Sequence, residues 1–180
     1  KQHRICIDDI VLEKIAAPEM KPEEAGKNLL KNGDFSNKTD NWNIWGISAP
    51  GEAKADIADH AIVYQISNVG TADWNVQLKQ SGLTLEKGCK YRVTFKATST
   101  AARTIKLAIM STKYAWYGGA DIQLSANNEK EVVCEFTMSK ETDSNADFVI
   151  SMGKINDEDT PASDITLSDF SLVKVDETTK

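Results

Sequence analysis

The 180-residue chain holds only two histidines, His3 and His60, and three cysteines, Cys6, Cys89 and Cys134. An odd number of thiols cannot all pair, and none sits in a C-x-x-C, so neither a disulfide framework nor a zinc cluster is indicated. Cys134 alternates with Val132 and Phe136 and reads as a small buried hydrophobe. Neither histidine has a metal-ligand partner at a useful spacing. H-E-x-x-H, G-x-S-x-G and the glycine-rich phosphate loop are all missing. GISAPG (residues 46–51) lacks the preceding strand and following helix that would aim a nucleophilic serine. No two carboxylates can be assigned to adjacent strands as acid and base for glycoside hydrolysis. The reading is a non-catalytic protein. Positive charge is also in short supply: 21 basic residues face 27 acidic ones, a net charge of −6. That argues against nucleic acid or an anionic membrane as partner, since both require a cationic face. No apolar run approaches the roughly 18–20 residues that span a bilayer. The opening KQHRICIDD has no long apolar segment of the signal-peptide kind and reads as a piece of a longer polypeptide.

What is present is alternation. KYRVTFKAT (90–98) puts Tyr91, Val93, Phe95 and Ala97 on one face and Arg92, Thr94 and Lys96 on the other. TIKLAIM groups Ile105, Leu107 and Ile109; EVVCEFTM groups Val132, Cys134, Phe136 and Met138; DFVISMG groups Phe148, Ile150 and Met152. A period of two with β-branched and aromatic residues predicts half-buried antiparallel strands. EKG (86–88), YGG (117–119), SANNEK and NDEDTPAS read as the breaks between them. PEMKPEEAGK is the one helix-like stretch, and Pro18, Pro22 and Gly26 make it a linker instead. Many short strands at regular spacing predict an all-β sandwich of antiparallel sheets.

One repeat bears on organisation. HRICIDDIVLEKI at the start matches SDITLSDFSLVKV near the end at Ile5/Ile165, Asp9/Asp169, Leu12/Leu172 and Lys14/Lys174. Residues 1–17 are therefore expected to be the closing strand of a preceding related module, 18–27 a linker, 28–176 a complete module and 177–180 a tail. A tandem related module in cis would raise avidity for a repetitive target, because the second binding event becomes intramolecular.

At NLLKNGDFSNKTDNWNIWG the sequence resembles the opening of the family 4/9 carbohydrate-binding modules, N-L-x-x-N-G-x-F followed by a tryptophan. Asn28, Leu29, Asn32, Gly33, Phe35 and Trp42 carry that match. It continues through WNVQLKQSGLTLEKGCKYRVTFKA, at Trp74, Gln77, Leu78, Gly88, Tyr91, Phe95 and Ala97, and ends in ITLSDFSL. The resemblance implies a jelly-roll β-sandwich of the galactose-binding-domain type. Its concave sheet would form an open cleft for one polysaccharide chain of the β-glucan, mannan or xylan type. It further implies a secreted or cell-surface protein in which the module holds an attached glycoside hydrolase on plant cell wall or storage glucans. The rival is a structural or protein-binding jelly roll of a large surface protein, with exposed aromatics as interface anchors.

The resemblance also separates the two tryptophans of DNWNIWG, sending Trp42 to the core and Trp45 to the rim of the cleft. It places a second sugar platform at Tyr117, with Trp116 beside it. A pyranose presents axial C–H groups, and an indole or phenol offers a flat apolar face with negative π density. The alternation itself nominates a polar floor. With Trp74, Val76 and Leu78 on one face, Asn75, Gln77 and Lys79 take the other; Lys106, Asp147 and Ser151 turn outward on neighbouring strands. Amides offer both donor and acceptor, as sugar hydroxyls require. Finally, the resemblance implies a structural calcium near the first and last strands, with Asp34, Ser168 and Asp169 in the matching places. The closing strand has Ser-Asp here where the family has Asp-Asp.

Overall fold

The computed structural model describes residues 26–155 and 160–175. The expected leftover strand (1–17), most of the linker and the tail lie outside the described residues, as does part of NDEDTPAS. Among the described residues there are ten strands: β1 (Asn43–Trp45), β2 (Glu52–Ala58), β3 (Ala61–Asn68), β4 (Gln77–Leu85), β5 (Lys90–Ser99), β6 (Arg103–Met110), β7 (Trp116–Leu124), β8 (Lys130–Thr137), β9 (Asp143–Ser151) and β10 (Ser163–Val175). They form two antiparallel five-stranded sheets, ordered β1-β4-β9-β6-β7 and β2-β3-β10-β5-β8. This is the jelly-roll sandwich that the alternation and the resemblance predict.

Alternation decides what each strand buries. Tyr91, Val93, Phe95, Ile105, Leu107, Ile109, Phe148 and Ile150 are at most 1% exposed and fill the space between the sheets. Phe170 sits at the centre of an aromatic cluster, stacked on Phe95 at 5.1 Å and in tilted or edge contact with Trp42, Phe35 and Phe148. Trp42 belongs to that core. It is 7% exposed, and its indole N–H donates to the Asn32 carbonyl at 2.9 Å.

Three expectations need correction. Trp74 does not share a buried face with Val76 and Leu78: it is 66% exposed, in a short 3-10 turn over Asp73–Asn75 that precedes β4. Strand alternation begins only at Val76, so projecting it back through Trp74 fails. Asn75 consequently lies in the turn and not on the strand face beside Gln77. The third concerns YGG, which is not a break but part of β7. The turn before it is Ser111–Ala115, closed by Tyr114 N–H to Ser111 O and Ser111 N–H to Ala115 O. Inside β7 the register slips at Tyr117, which makes a bulge opposite Ile109 and Met110. Both glycines there answer close approach: a Cβ on Gly118 would lie 2.4 Å from the Phe136 ring, and one on Gly119 would lie 2.1 Å from Leu107 O.

Candidate functional site

The sheet β1-β4-β9-β6-β7 turns one face to the core and one outward. Its register brings residues distant in sequence into cross-strand rows. Trp45 pairs with Gln77, Gln77 with Ser151, Ser151 with Lys106 and Lys106 with Asp121. One row of side chains thus crosses all five strands on the outer face. Parallel to it, Asn43, Lys79, Val149, Ala108 and Gly119 make a second row. Asp147, Met110 and Trp116 make a third.

Four of the sequence-nominated residues, Trp45, Gln77, Ser151 and Lys106, therefore share the first row, and Asp147 and Trp116 share the third. Trp45 and Trp116 stand on the two edge strands at diagonal corners, 61% and 50% exposed. Four strand spacings separate them across the sheet, about 19 Å, and four residues along it, about 13 Å, a diagonal of roughly 23 Å. The Trp116 ring lies over Gly119, where a Cβ would come within 2.8 Å of its Cη2 atom. Between the corners the floor is low. Ala108, Val149, Ser151 and Asp147 are each at most 4% exposed although they lie on the outward face, so taller neighbours flank them. The strip of small residues overlaid by longer neighbours, with an exposed indole at each of two corners, is the trough.

Its polar groups are held in place. The Gln77 amide donates to Ser151 Oγ at 2.9 Å. Behind it, the Tyr64 hydroxyl crosses from the other sheet to the Gln77 carbonyl at 3.0 Å, fixing the backbone from the core side. Lys79 Nζ pairs with Asp147 at 2.7 Å and Lys106 Nζ with Asp73 at 2.6 Å. Each ammonium is thus matched by a carboxylate, and the trough presents paired charge rather than a cationic strip. The second oxygen of Asp147, Oδ1, is buried with no hydrogen-bond partner. A buried carboxylate oxygen without a donor costs about 1–3 kcal/mol or more.

Two nominated residues sit apart from this arrangement. The Asn75 side-chain oxygen accepts the backbone N–H groups of Thr71 and Ala72 at 2.7 and 2.9 Å, so it organises its own turn. Tyr117 is half-buried against the core, and its hydroxyl donates to Asp143 at 2.7 Å. Burial, with the Asp143 carboxylate adding to it, pushes its phenol pKa up. Three trough residues escaped sequence reasoning. Lys79 was assigned to the polar face but not to the site, because its partner Asp147 is remote in sequence. Asp73 shows no sequence signal. Trp74 was assigned to the core, whereas the turn presents it to solvent just beyond the first row, next to the Asp73–Lys106 pair.

The residues nominated for calcium have other partners. Asp34 accepts the Ser36 N–H at 3.2 Å and its hydroxyl at 2.9 Å, and these bonds lower its carboxyl pKa. Asp169 pairs with Lys96 at 2.9 Å, and Ser168 is half-buried on β10 opposite Lys96 and Ala61. Among the described residues no three His, Cys, Asp or Glu side chains gather as a metal site would need.

Residues 27–163 match the family model of the 4/9 carbohydrate binding domain. The chain belongs to this family of carbohydrate-binding modules. No curated protein matches the chain. Among solved structures, a family 4 module is similar at 20% identity and a TM-score of 0.65, over 87% of this chain and 99% of the other. The N-terminal cellulose-binding domain of Cellulomonas fimi β-1,4-glucanase C is similar at 19% identity and 0.60, over 84% and 99%. A family 61 module in complex with β-1,4-galactotriose is similar at 16% identity and 0.54, over 82% and 99%. These likenesses concern the fold; the family assignment rests on the sequence match.

Proposed function

We propose that the outward face of β1-β4-β9-β6-β7 binds a single neutral, β-linked polysaccharide chain, and that the module is a non-catalytic targeting unit of a secreted glycoside hydrolase. The observation that carries this reading is the row Trp45–Gln77–Ser151–Lys106, with a second exposed indole, Trp116, at the diagonal corner. Two flat apolar faces at the ends of a trough suit sugar rings at the ends of a bound segment. Between them the amide, hydroxyl and ammonium groups supply donors, while Asp147 offers an acceptor. A sugar hydroxyl reaching Asp147 Oδ1, as the Lys79 side chain lifts from above it, would satisfy an oxygen that the protein leaves without a donor. Matched charges favour a neutral chain over a polyanion. Trp74 would extend the aromatic lining past the end of the sheet.

Structural relatives that include a cellulose-binding domain and a module in complex with β-1,4-galactotriose support the β-linked class. The test is affinity electrophoresis against β-glucan, xylan, glucomannan and starch, followed by calorimetry on whichever retards the protein. Retardation by one or more of the β-linked polymers, with little by starch, is expected. No retardation on any of the four would defeat the reading and favour a protein-binding jelly roll.

A further inference from the structure

Calcium binds six to eight oxygens at about 2.3–2.6 Å. Where the first described segment meets the last strand, the oxygens are already committed to protein donors. Gly33 O accepts the Phe170 N–H at 2.9 Å, and Phe170 O accepts the Asn28 amide at 2.9 Å. Asn28 Oδ1 takes both Leu30 N–H at 3.1 Å and Leu172 N–H at 2.9 Å, and Asn32 O takes the Trp42 indole. The two segments touch directly: a Cβ on Gly33 would lie 2.1 Å from Phe170 O. With these carbonyl–amide contacts closed, an ion could reach these oxygens only through whatever lone pair each has left.

The carboxylates point elsewhere too. Asp34 is folded onto Ser36. Asp169 occupies the β10 bulge with φ of +56°, a conformation that Asp tolerates, and its Oδ2 lies 2.9 Å from Lys96 Nζ. Lys96 pairs across β5–β10 with Ser168, beside Asp169 in the bulge, and across β5–β8 with Glu131, so it lies between the carboxylates of Asp169 and Glu131 on the outer face of the second sheet. The donor set implied by the family resemblance does not fit a calcium ion in this chain.

We propose that the Lys96 ammonium supplies the cation at this junction, so that the module holds its last strand without calcium. The hydrogen bond that the Lys96 ammonium donates to Asp169 favours the charged lysine, raising its pKa above the ordinary range. The inference is independent of the sugar-binding reading, since it concerns the opposite sheet.

Thermal unfolding of the full chain, stripped with chelator and then supplied with millimolar calcium, tests it. The full chain retains Asp8 and Asp9, so any site they help to build would respond. Calcium at a hundred times its Kd would raise the Tm by several degrees; the expected shift is none. Lys96→Gln is expected to lower the Tm by about 1–3 °C in chelator, the scale for one exposed pair in a domain of this size, while Lys96→Arg restores it. A calcium-induced rise in the wild-type Tm, or a Lys96→Gln variant that melts with the wild type, overturns the proposal.

Discussion

Replacing Trp45 by alanine and replacing Trp42 by alanine change the same residue type three positions apart, with opposite consequences. Trp45 is 61% exposed. A tryptophan carries up to about 250 Å² of surface, so about 150 Å² of this one faces water. A sugar stacked on one face of the indole covers about half of that. At about 25 cal/mol per Å² the contact contributes about 2 kcal/mol, or roughly a 30-fold change in Kd. Removing the side chain leaves no core cavity, so folding stability should move by no more than about 0.5 kcal/mol. Trp42 packs on Phe35, Phe148 and Phe170 and donates to Asn32, and its truncation should cost about 3–5 kcal/mol. Calorimetric titration with a polysaccharide that retards the wild type, beside guanidinium unfolding of both variants, separates the effects. A Trp45→Ala protein that binds as tightly as wild type would refute the assignment. So would one that unfolds as easily as Trp42→Ala, since the indole would then be part of the core.

The Lys79–Asp147 pair yields an asymmetry. Asp147→Asn leaves behind a lysine that still reaches water and should cost about 1–3 kcal/mol, whereas Lys79→Met strands a buried carboxylate and should cost about 3–5 kcal/mol. Equal losses in denaturant unfolding would show that Asp147 is not the desolvated partner. Alkaline pH yields another outcome. Burial pushes the Tyr91 phenol up to about 12 and that of Tyr64 higher still. The folded state therefore retains protons that the unfolded chain releases near pH 10. The stability this contributes is complete below about pH 10 and is lost as pH rises through the folded values. Urea unfolding across that window should show the decline, with a shallower slope for Tyr91→Phe; a flat profile would contradict the burial of both phenols.

The strands of the core were legible because their apolar positions are β-branched or aromatic and strictly alternate, as in Tyr91–Ala97 and Ile105–Ile109. β2 was not, since Ala53, Ala55 and Ile57 are too small to stand out against Lys54 and Asp56. The glycines of β7 misled for a different reason. Glycine signals a turn in most contexts, and here it marks surfaces pressed too close for a side chain, by Phe136 and by Leu107. For the site, alternation predicts which side of a strand a residue takes, and on that basis Gln77, Lys106 and Ser151 were legible. Register is a non-local property. That Gln77 stands between Trp45 and Ser151, or that Lys106 reaches Asp73, depends on which strands become neighbours. No local pattern records this. Trp74 failed at an element boundary, where alternation that holds from Val76 onward was extended into a 3-10 turn.

The uneven distribution of indoles has an optical consequence. Three of the four tryptophans, Trp45, Trp74 and Trp116, are at least half exposed, Trp45 and Trp116 on one face of the first sheet, and Trp42 alone is enclosed in the aromatic core. The emission of the folded protein is thus a sum of three water-contacting fluorophores and one shielded internal standard. A soluble quencher reaches the first group and not the second. Anything that settles between Trp45 and Trp116 shields those two while leaving Trp42 unchanged, so the molecule carries its own label for occupancy of the trough.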